Sequence, residues 1–477
     1  MPIAPCSLVS PPLFMASDIR ALEQHWVRSH PGIPLMEKAG TAAAALAGSL
    51  ASDSGEPVLI LVGSGNNGGD ALVTARLLAA QGFRAVVVSR ADPARLPPDA
   101  ARAWAAWHEC GGAILTDIPS GQRYSLVIDG LFGIGLQRDI CGEDARWIAQ
   151  AHALNCPKLA LDVPSGLDAD CGWVRGCALR ADHTLTFLGL KPGLLTADGP
   201  DYAGELHLDT LGVDPAIQPA TLGIALTQME SRHRLPPRAR NSHKGQFGHV
   251  GIIGGSSGMV GACLIAGRAA LLQGAGSVTV GTLDERIVVD FGEPRLMFAA
   301  PERLMDIRLD ALVIGPGLGQ SPRARVLLEA ALSTPCPLVL DADALNLLAN
   351  NPDLASTASR RIPPTLLTPH PGEAARLLGM RIADIQANRI DAAHRLRAQA
   401  NNAHVALKGA GTVILHPDGH YAINTSGGPW LAQSGSGDRL TGMVAALLGQ
   451  GMAAGDALEA AVWLHGRSIQ EFGPGTS

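Results

Sequence analysis

The chain has 477 residues, of which 47% are hydrophobic and 17% charged, too apolar for a disordered polymer and long enough for two or three packed cores. Its formal charge of −6, from 37 basic and 43 acidic residues, carries no long run of one sign, which argues against a nucleic-acid partner or an anionic membrane surface. No apolar run reaches the roughly 18 residues of a membrane span, and Met1 to Pro12 carries no basic residue ahead of an apolar stretch, so a soluble, unexported, cytoplasmic protein is expected. The eight cysteines are scattered without a CxxC pair and read as reduced thiols rather than a zinc framework.

In chain order, short continuous apolar runs read as buried strands at Pro57 to Val62, Ala85 to Val88, Leu126 to Ile128, Lys158 to Leu161 and His183 to Phe187. Each is closed by Gly, Asp or Pro, and alanine-rich helical stretches lie between them. That alternation predicts an α/β fold with a doubly wound, Rossmann-like parallel sheet. The pattern breaks around Thr221 to His243, at a basic, proline-containing stretch, and this predicts two domains, 1–226 and 227–477. A second α/β alternation then runs through His249 to Gly255, Ser277 to Gly281, Ala311 to Gly315, Leu338 to Asp341, Thr365 to Thr368 and Ala403 to Lys408, ending in an apolar helix after Asp438. The two halves share no motif and are not read as a repeat.

The first strand leads into Gly63-Ser64-Gly65-Asn66-Asn67-Gly68-Gly69-Asp70 and then a helix. Such a turn offers free backbone N–H groups and a positive helix end to an anion, although an ordinary βα turn accounts for the glycines equally well. More informative is the gathering of oxygen ligands past strand ends: Asn66, Asn67 and Asp70, then Asp129 before Gly130-Leu131-Phe132-Gly133-Ile134-Gly135, then Asp162 and Ser165 in Asp162-Val163-Pro164-Ser165-Gly166. Together they could hold a hard cation, while each aspartate alone could equally be a helix cap.

These three segments resemble the three signatures of the YjeF N-terminal domain, the NAD(P)HX epimerase, over roughly residues 14–225. The resemblance implies a domain that binds hydrated NADH or NADPH, with K+ on Asn67, Asp129 and Ser165 and Asp162 as acid/base. It also implies substrate contacts from Asn66, Asn67, Gly68, Gly69 and Asp70, and from Gly133, Ile134, Gly135, Leu136, Gln137, Arg138 and Asp139. Ala71 stands where the family usually has glycine, and its methyl is expected to crowd an approaching phosphate.

In the second half, Gly254-Gly255-Ser256-Ser257-Gly258, Gly315-Pro316-Gly317-Leu318-Gly319, Asp341-Ala342-Asp343 and Thr368-Pro369-His370-Pro371-Gly372-Glu373 all come directly after strands, which would put them at one sheet edge. Ser434-Gly435-Ser436-Gly437-Asp438 opens the last apolar helix. Glycine N–H groups at a helix start can hold a moving phosphoryl group while an adjacent aspartate takes a hydroxyl proton, although an acidic N-cap on a core helix reads the same alone. Glycine on both sides, at Gly435 and Gly437, exceeds what a plain cap needs. His243, His249 and His370 could as readily be core or loop histidines, and Trp430 as readily packing as a stacking platform.

With His243-Lys244-Gly245, these motifs resemble the ADP/ATP-dependent NAD(P)HX dehydratases of the ribokinase-like superfamily over roughly residues 230–470. The resemblance implies Asp438 as catalytic base, Lys408, Gly409, Ala410, Gly411, Thr412 and Gly437 on the nucleotide, and Ala262, Gly317, His370 and Asp438 around the hydrated nicotinamide. ADP or ATP would be co-substrate, with ADP suggested by bacterial relatives, Mg2+ would accompany it, and a homo-oligomer is expected. The loop before Asp438 departs from the family's GNPGMATGGSGD, with Gly428, Trp430, Gln433 and Ser434 at the second, fourth, seventh and eighth places. Arg439 replaces an apolar residue, and the chain is expected to stop short of the family's last helix.

Two rival readings arise from the same residues. One is a small-molecule kinase acting on a vitamin alcohol, marked by release of a stable phosphorylated product. The other makes the N-terminal half a binding scaffold, since YjeF-like domains also occur in decapping scaffolds, although the complete oxygen cluster with Asp162 speaks against it.

Overall fold

The computed structural model describes residues 10–52, 55–213, 221–235, 237–401 and 403–468. The expectations about Met1 to Pro12 and about the chain's last residues fall partly or wholly outside them. The chain divides into two compact units, the first holding Pro11–Thr221 and the second Leu222 onward together with Ser10. The division precedes the expected 226/227 boundary because Gly223–Leu226 is a strand that pairs in the second sheet.

The first unit contains β1 (Pro12–Leu13), β2 (Val58–Val62), β3 (Ala85–Ser89), β4 (Ile114–Leu115), β5 (Leu126–Gly130), β6 (Lys158–Leu161), β7 (His183–Phe187) and β8 (Glu205–Asp209). Strands β2 to β8 form a parallel sheet in the order β4-β3-β2-β5-β6-β7-β8. Chain order reverses between β2 and β5, and the crevice beyond the carboxyl ends there is where this architecture receives ligands. Strand β2 is buried throughout because Val58, Ile60 and Val62 pack under helices Leu35–Leu50 and Asn66–Ala80, while Leu59 and Leu61 pack with Trp147 and Ile148 on the other face. Edge strand β8 mixes exposed, half-buried and buried residues, and so lacked the continuous apolar run that exposed the central strands to sequence reading.

The second unit contains β9 (Gly223–Leu226), β10 (His249–Gly254), β11 (Ser277–Thr282), β12 (Met297–Phe298), β13 (Ala311–Ile314), β14 (Leu338–Leu340), β15 (Thr365–Leu367), β16 (Ala403–Leu407), β17 (Val413–Leu415) and β18 (Tyr421–Asn424). They lie in the order β9-β18-β17-β16-β15-β14-β13-β10-β11-β12, parallel except for β17, which is antiparallel to both neighbours. Here the order reverses between β10 and β13. Helices Val260–Leu272 and Ser436–Gly449 pack together over this reversal, with Ala266 and Gly442 in backbone contact distance.

Backbones approach closely where β2 and β5 exit. A Cβ on Gly63 would lie 1.8 Å from the Leu131 carbonyl oxygen, and one on Gly68 would lie 2.1 Å from that of Gly63. Neither neighbour can yield, because both are backbone. Gly63→Ala is therefore expected to destabilise the first unit by at least about 2 kcal/mol, seen as faster hydrogen exchange in β2 and β5 with β13 and β14 as internal reference.

Candidate active sites

In the first unit a cavity of about 1150 Å³ opens over the β2/β5 reversal. Helix Asn66–Ala80 starts there, with Gly65 at its N-cap. Of the expected substrate contacts, Asn66, Asn67, Asp70, Asp162 and the run Gly133, Ile134, Gly135, Leu136, Gln137 and Arg138 line this cavity. Gly68, Gly69 and Asp139 do not. The two glycines serve packing, Gly69 against Met36 and Gly68 against Gly63. The expectation that Ala71 crowds a ligand is corrected: its side chain is fully buried and faces Gly130 of β5, where a Cβ would meet it at 2.5 Å.

Asp129 and Ser165 are fully buried, and Asn67, almost as buried, lines the cavity. Ser165 donates its hydroxyl to Asp129 Oδ1 at 2.6 Å and its backbone N–H to Oδ2 at 2.8 Å, and the Leu131 N–H donates at 3.2 Å. Burial nevertheless raises the Asp129 pKa, because these donors are neutral. Asn67 donates to the Leu161 carbonyl at 3.2 Å, while its Oδ1 is buried without a hydrogen-bond partner. Gly133 brings Asn67 next to Asp162, since a Cβ there would lie 3.4 Å from Asn67 Cγ and 3.1 Å from Asp162 Oδ2.

Asp162 comes directly after β6 with φ +64°, a left-handed conformation that aspartate tolerates better than most residues. Its Oδ1 receives a hydrogen bond from Lys191 Nζ at 2.5 Å. The lysine has no solvent exposure and also donates to Thr186 Oγ1 at 2.8 Å and the Phe187 carbonyl at 2.7 Å. Around this pair stand two more acids. Burial, then the Asp162 charge, pushes Asp70 well above the ordinary carboxylate range and raises Glu23 from helix Ala16–Ser29. Sequence reading missed both Lys191 and Glu23. Lys191, in Leu190-Lys191-Pro192 after β7, obeys the same strand-end logic that found the aspartates, whereas nothing local marks Glu23.

In the second unit the expected residues gather at the carboxyl ends of β10, β13, β14, β15 and β16. Lys408, just past β16, donates to Asp341 Oδ1 at 2.8 Å and lies 3.9 Å from Glu373 Oε2. Thr441, on the last apolar helix, donates to Asp341 Oδ2 at 2.8 Å. Burial opposes the Lys408 charge, but Asp341 and Glu373 prevail and hold its pKa above the ordinary value. A Cβ on Gly437 would lie 3.1 Å from Lys408 Nζ, so Lys408 reaches the start of helix Ser436–Gly449. Asp438, in that helix's first turn, is pushed up to about 6 by burial and then by Asp341, with Lys408 opposing.

The remaining expected residues surround this cluster. His370 caps helix Pro371–Leu378, with Nδ1 accepting from the Gly372 N–H at 2.9 Å and its own backbone N–H donating to Glu373 at 2.8 Å. Gly317 packs against the Met259 carbonyl, which accepts from the Ala262 N–H at 3.3 Å, and Gly319 N–H donates to Asp343 at 2.8 Å. Gly409, Ala410, Gly411 and Thr412 form the loop from β16 into antiparallel β17, with Gly409 and Ala410 exposed. The irregular segment is self-consistent: Gly428 is required because the Trp430 ring folds over it, where a Cβ would meet the ring at 2.4 Å. Arg439 lines a separate cavity of about 470 Å³ with Met443 and Trp463.

Comparison with known proteins respects the same division. Residues 32–193 match the family described as YjeF-related protein N-terminus, and residues 250–473 match NAD(P)H-hydrate dehydratase. Over 446 residues the chain is 40% identical to the bifunctional NAD(P)H-hydrate repair enzyme Nnr of Escherichia coli, spanning 91% of this chain and 84% of that protein. The chain belongs to the bifunctional NAD(P)H-hydrate repair enzyme family. The Coxiella burnetii member is 38% identical over 470 residues, 95% of this chain and 93% of that protein. Among solved structures, an ADP/ATP-dependent NAD(P)H-hydrate dehydratase from Bacillus subtilis, co-crystallized with ATP/Mg2+, is 33% identical and covers 52% of this chain and 89% of its own, with a TM-score of 0.44.

Two titrations check the electrostatics of these repair-family sites. Carbon-13 NMR of labelled aspartates should show a carboxyl titrating near pH 6 that disappears in Asp438→Asn, and whose midpoint falls in Asp341→Asn as a like charge is removed. With labelled glutamates, Lys191→Met should raise the Glu23 midpoint further, since the lysine charge, ahead of Arg20, opposes burial and Asp162 there.

Proposed function

We propose that the first unit epimerises the R and S forms of hydrated NADH and NADPH and that the second dehydrates the S form to NAD(P)H at the expense of ADP or ATP. The observation that carries this reading is the presence, on one chain, of two acids in opposite electrostatic settings: Asp162, just past a strand and gripped by Lys191, and Asp438, in the first turn of a helix and pushed up to about 6. Family membership over most of the relatives' length sets aside both the vitamin-alcohol kinase and the scaffold.

For epimerisation, the carbon bearing the hydroxyl at C6 must lose and regain its configuration. Asp162, on the cavity wall with Ile134 N–H 3.4 Å from its Oδ2, exchanges a proton with that hydroxyl or an intervening water. Lys191 is a positioning residue that keeps this carboxylate oriented. Asn66, Asn67, Asp70 and the 133–138 run hold the hydrated nucleotide, while Gly68, Gly69 and Asp139, expected to contact it, lie off the cavity lining.

Potassium fits the donor set beneath that cavity. The partnerless, buried Asn67 Oδ1 and the buried Asp129 carboxylate, bonded only to neutral donors, are what a weakly hydrated monovalent cation satisfies, with Ser165 completing an all-oxygen group. When bound it supplies positive charge beneath the anionic substrate.

For dehydration, Asp438 takes the proton of the C6 hydroxyl as that oxygen attacks the terminal phosphoryl group of the nucleotide. The N–H groups at the start of helix Ser436–Gly449, with Gly437 beside Lys408, receive the transferring phosphoryl. The ring-nitrogen lone pair then expels phosphate from C6, and a proton lost from C5 restores the 1,4-dihydropyridine. Ala262, Gly317 and His370 border the nicotinamide, and the loop Gly409, Ala410, Gly411 and Thr412 holds the nucleotide, which Mg2+ accompanies. A cytoplasmic setting suits enzymes that meet the reduced cofactor pool, and among the described residues no helix is long and apolar enough to cross a membrane.

Both epimers of hydrated NADH with ADP or ATP, monitored by the return of reduced-nicotinamide absorbance, test the scheme. Asp438→Asn should abolish dehydration and spare epimerisation, and Asp162→Asn should do the reverse. Because Asp438 must be ionised to accept a proton, dehydratase kcat/KM should fall about tenfold per pH unit below about 6 and level off above it. Dehydration by Asp438→Asn at the wild-type rate would refute the assignment.

A further inference from the structure

We propose that His183, Glu205 and His207 form a zinc(II)-class metal site at the amino ends of β7 and β8, away from the strand ends that carry Asp162. Register places the three side chains together. His183 and Glu205 are direct partners across the parallel β7/β8 ladder, and His207 lies two residues beyond Glu205 on β8, so all three project from one face.

Their ligand atoms converge accordingly. His183 Nδ1 lies 3.2 Å from His207 Nε2 and 3.6 Å from Glu205 Oε2, and His207 Nε2 lies 3.9 Å from Glu205 Oε1. Ligands bound at about 2.0–2.2 Å in a tetrahedral shell stand about 3.3–3.6 Å apart, so this triangle accepts an ion with small side-chain adjustments and no backbone movement. Two imidazoles and one carboxylate select zinc and neighbouring transition metals over magnesium or calcium, and three protein ligands leave a position for water.

Access and isolation distinguish this cluster. Glu205 is 55% exposed, His183 22% and His207 6%, a gradient that gives an ion an entry path past the glutamate to a half-enclosed pair of imidazoles. No arginine or lysine is paired with this glutamate among the described ion pairs. A second histidine group, around Glu459, lacks that freedom: His416 occupies one carboxylate oxygen, and His233 and Arg232 occupy the other. The direct His183–His207 hydrogen bond, with Glu205 as an ion-pair partner of either ring once protonated, is the metal-free alternative.

An ion here would clip β7 to β8. Strand β7 runs on into Leu188 of the substrate cavity and then Lys191, so the clip would brace the segment carrying the lysine that holds Asp162.

The test uses the full chain stripped with a chelator and then titrated with Zn2+ against a chromogenic competitor. One tight equivalent per chain is expected, weakened by about a hundredfold in His183→Gln and in His207→Gln and by about tenfold in Glu205→Gln. Zinc should raise the melting temperature of the wild type and not of the histidine variants, and X-ray absorption should report imidazole nitrogens in the zinc shell. The half-exposed Glu205 can be changed without disturbing packing, so that variant stays informative if either histidine variant fails to fold. Absence of a tight equivalent in the wild type, or equal affinity in all three variants, would overturn the proposal, and neither result bears on the Asp162 and Asp438 assignments.

Discussion

A carboxylate taken out of water must be balanced by a cation or by hydrogen-bond donors, and each unit meets that demand at the carboxyl ends of its parallel strands. In each, a lysine just beyond a strand answers it. Lys191 grips Asp162 itself, while Lys408 grips Asp341 and leaves Asp438 among three like charges, those of Asp341, Glu373 and Asp343. One arrangement holds the Asp162 carboxylate through a direct ion pair. The other leaves a carboxyl, that of Asp438, pushed up to about 6.

The surrounding sequence peculiarities read as packing solutions around these pairs. Ala71 is turned into the β5 backbone at Gly130, and Gly428 admits the ring of Trp430. Gly435 adopts φ +83° at the helix cap, and a Cβ there would strike Ile265, so the glycines flanking Ser436 have separate duties, one conformational and one of access to Lys408. The bulkier loop before Asp438 is thus compatible with an intact acidic cluster.

Central strands were legible because burial on both faces demands unbroken apolar runs, and strand-end acids were legible because they interrupt those runs. Edge strand β8, the antiparallel pair β17 and β18, and β9 were not, since short, half-exposed or alternating segments carry a weak pattern. The shifted boundary has the same origin: Gly223–Leu226 looks like linker until its pairing with β18 is seen. Glu23 shows the limit more plainly, because it lies on a helix far along the chain from the acids it joins.

By itself, the order of residues determined two α/β units and their glycine turns and singled out Asp162 and Asp438 as candidates, because each depends on local periodicity and on the residue types found just past a strand or at a helix start. Tertiary structure alone decided which charges meet. Lys191 with Asp162, Lys408 with Asp341, and His183 with His207 are brought together by strands adjacent in the sheet or by side chains reaching across it, and the protonation of a buried acid depends on such neighbours rather than on sequence spacing.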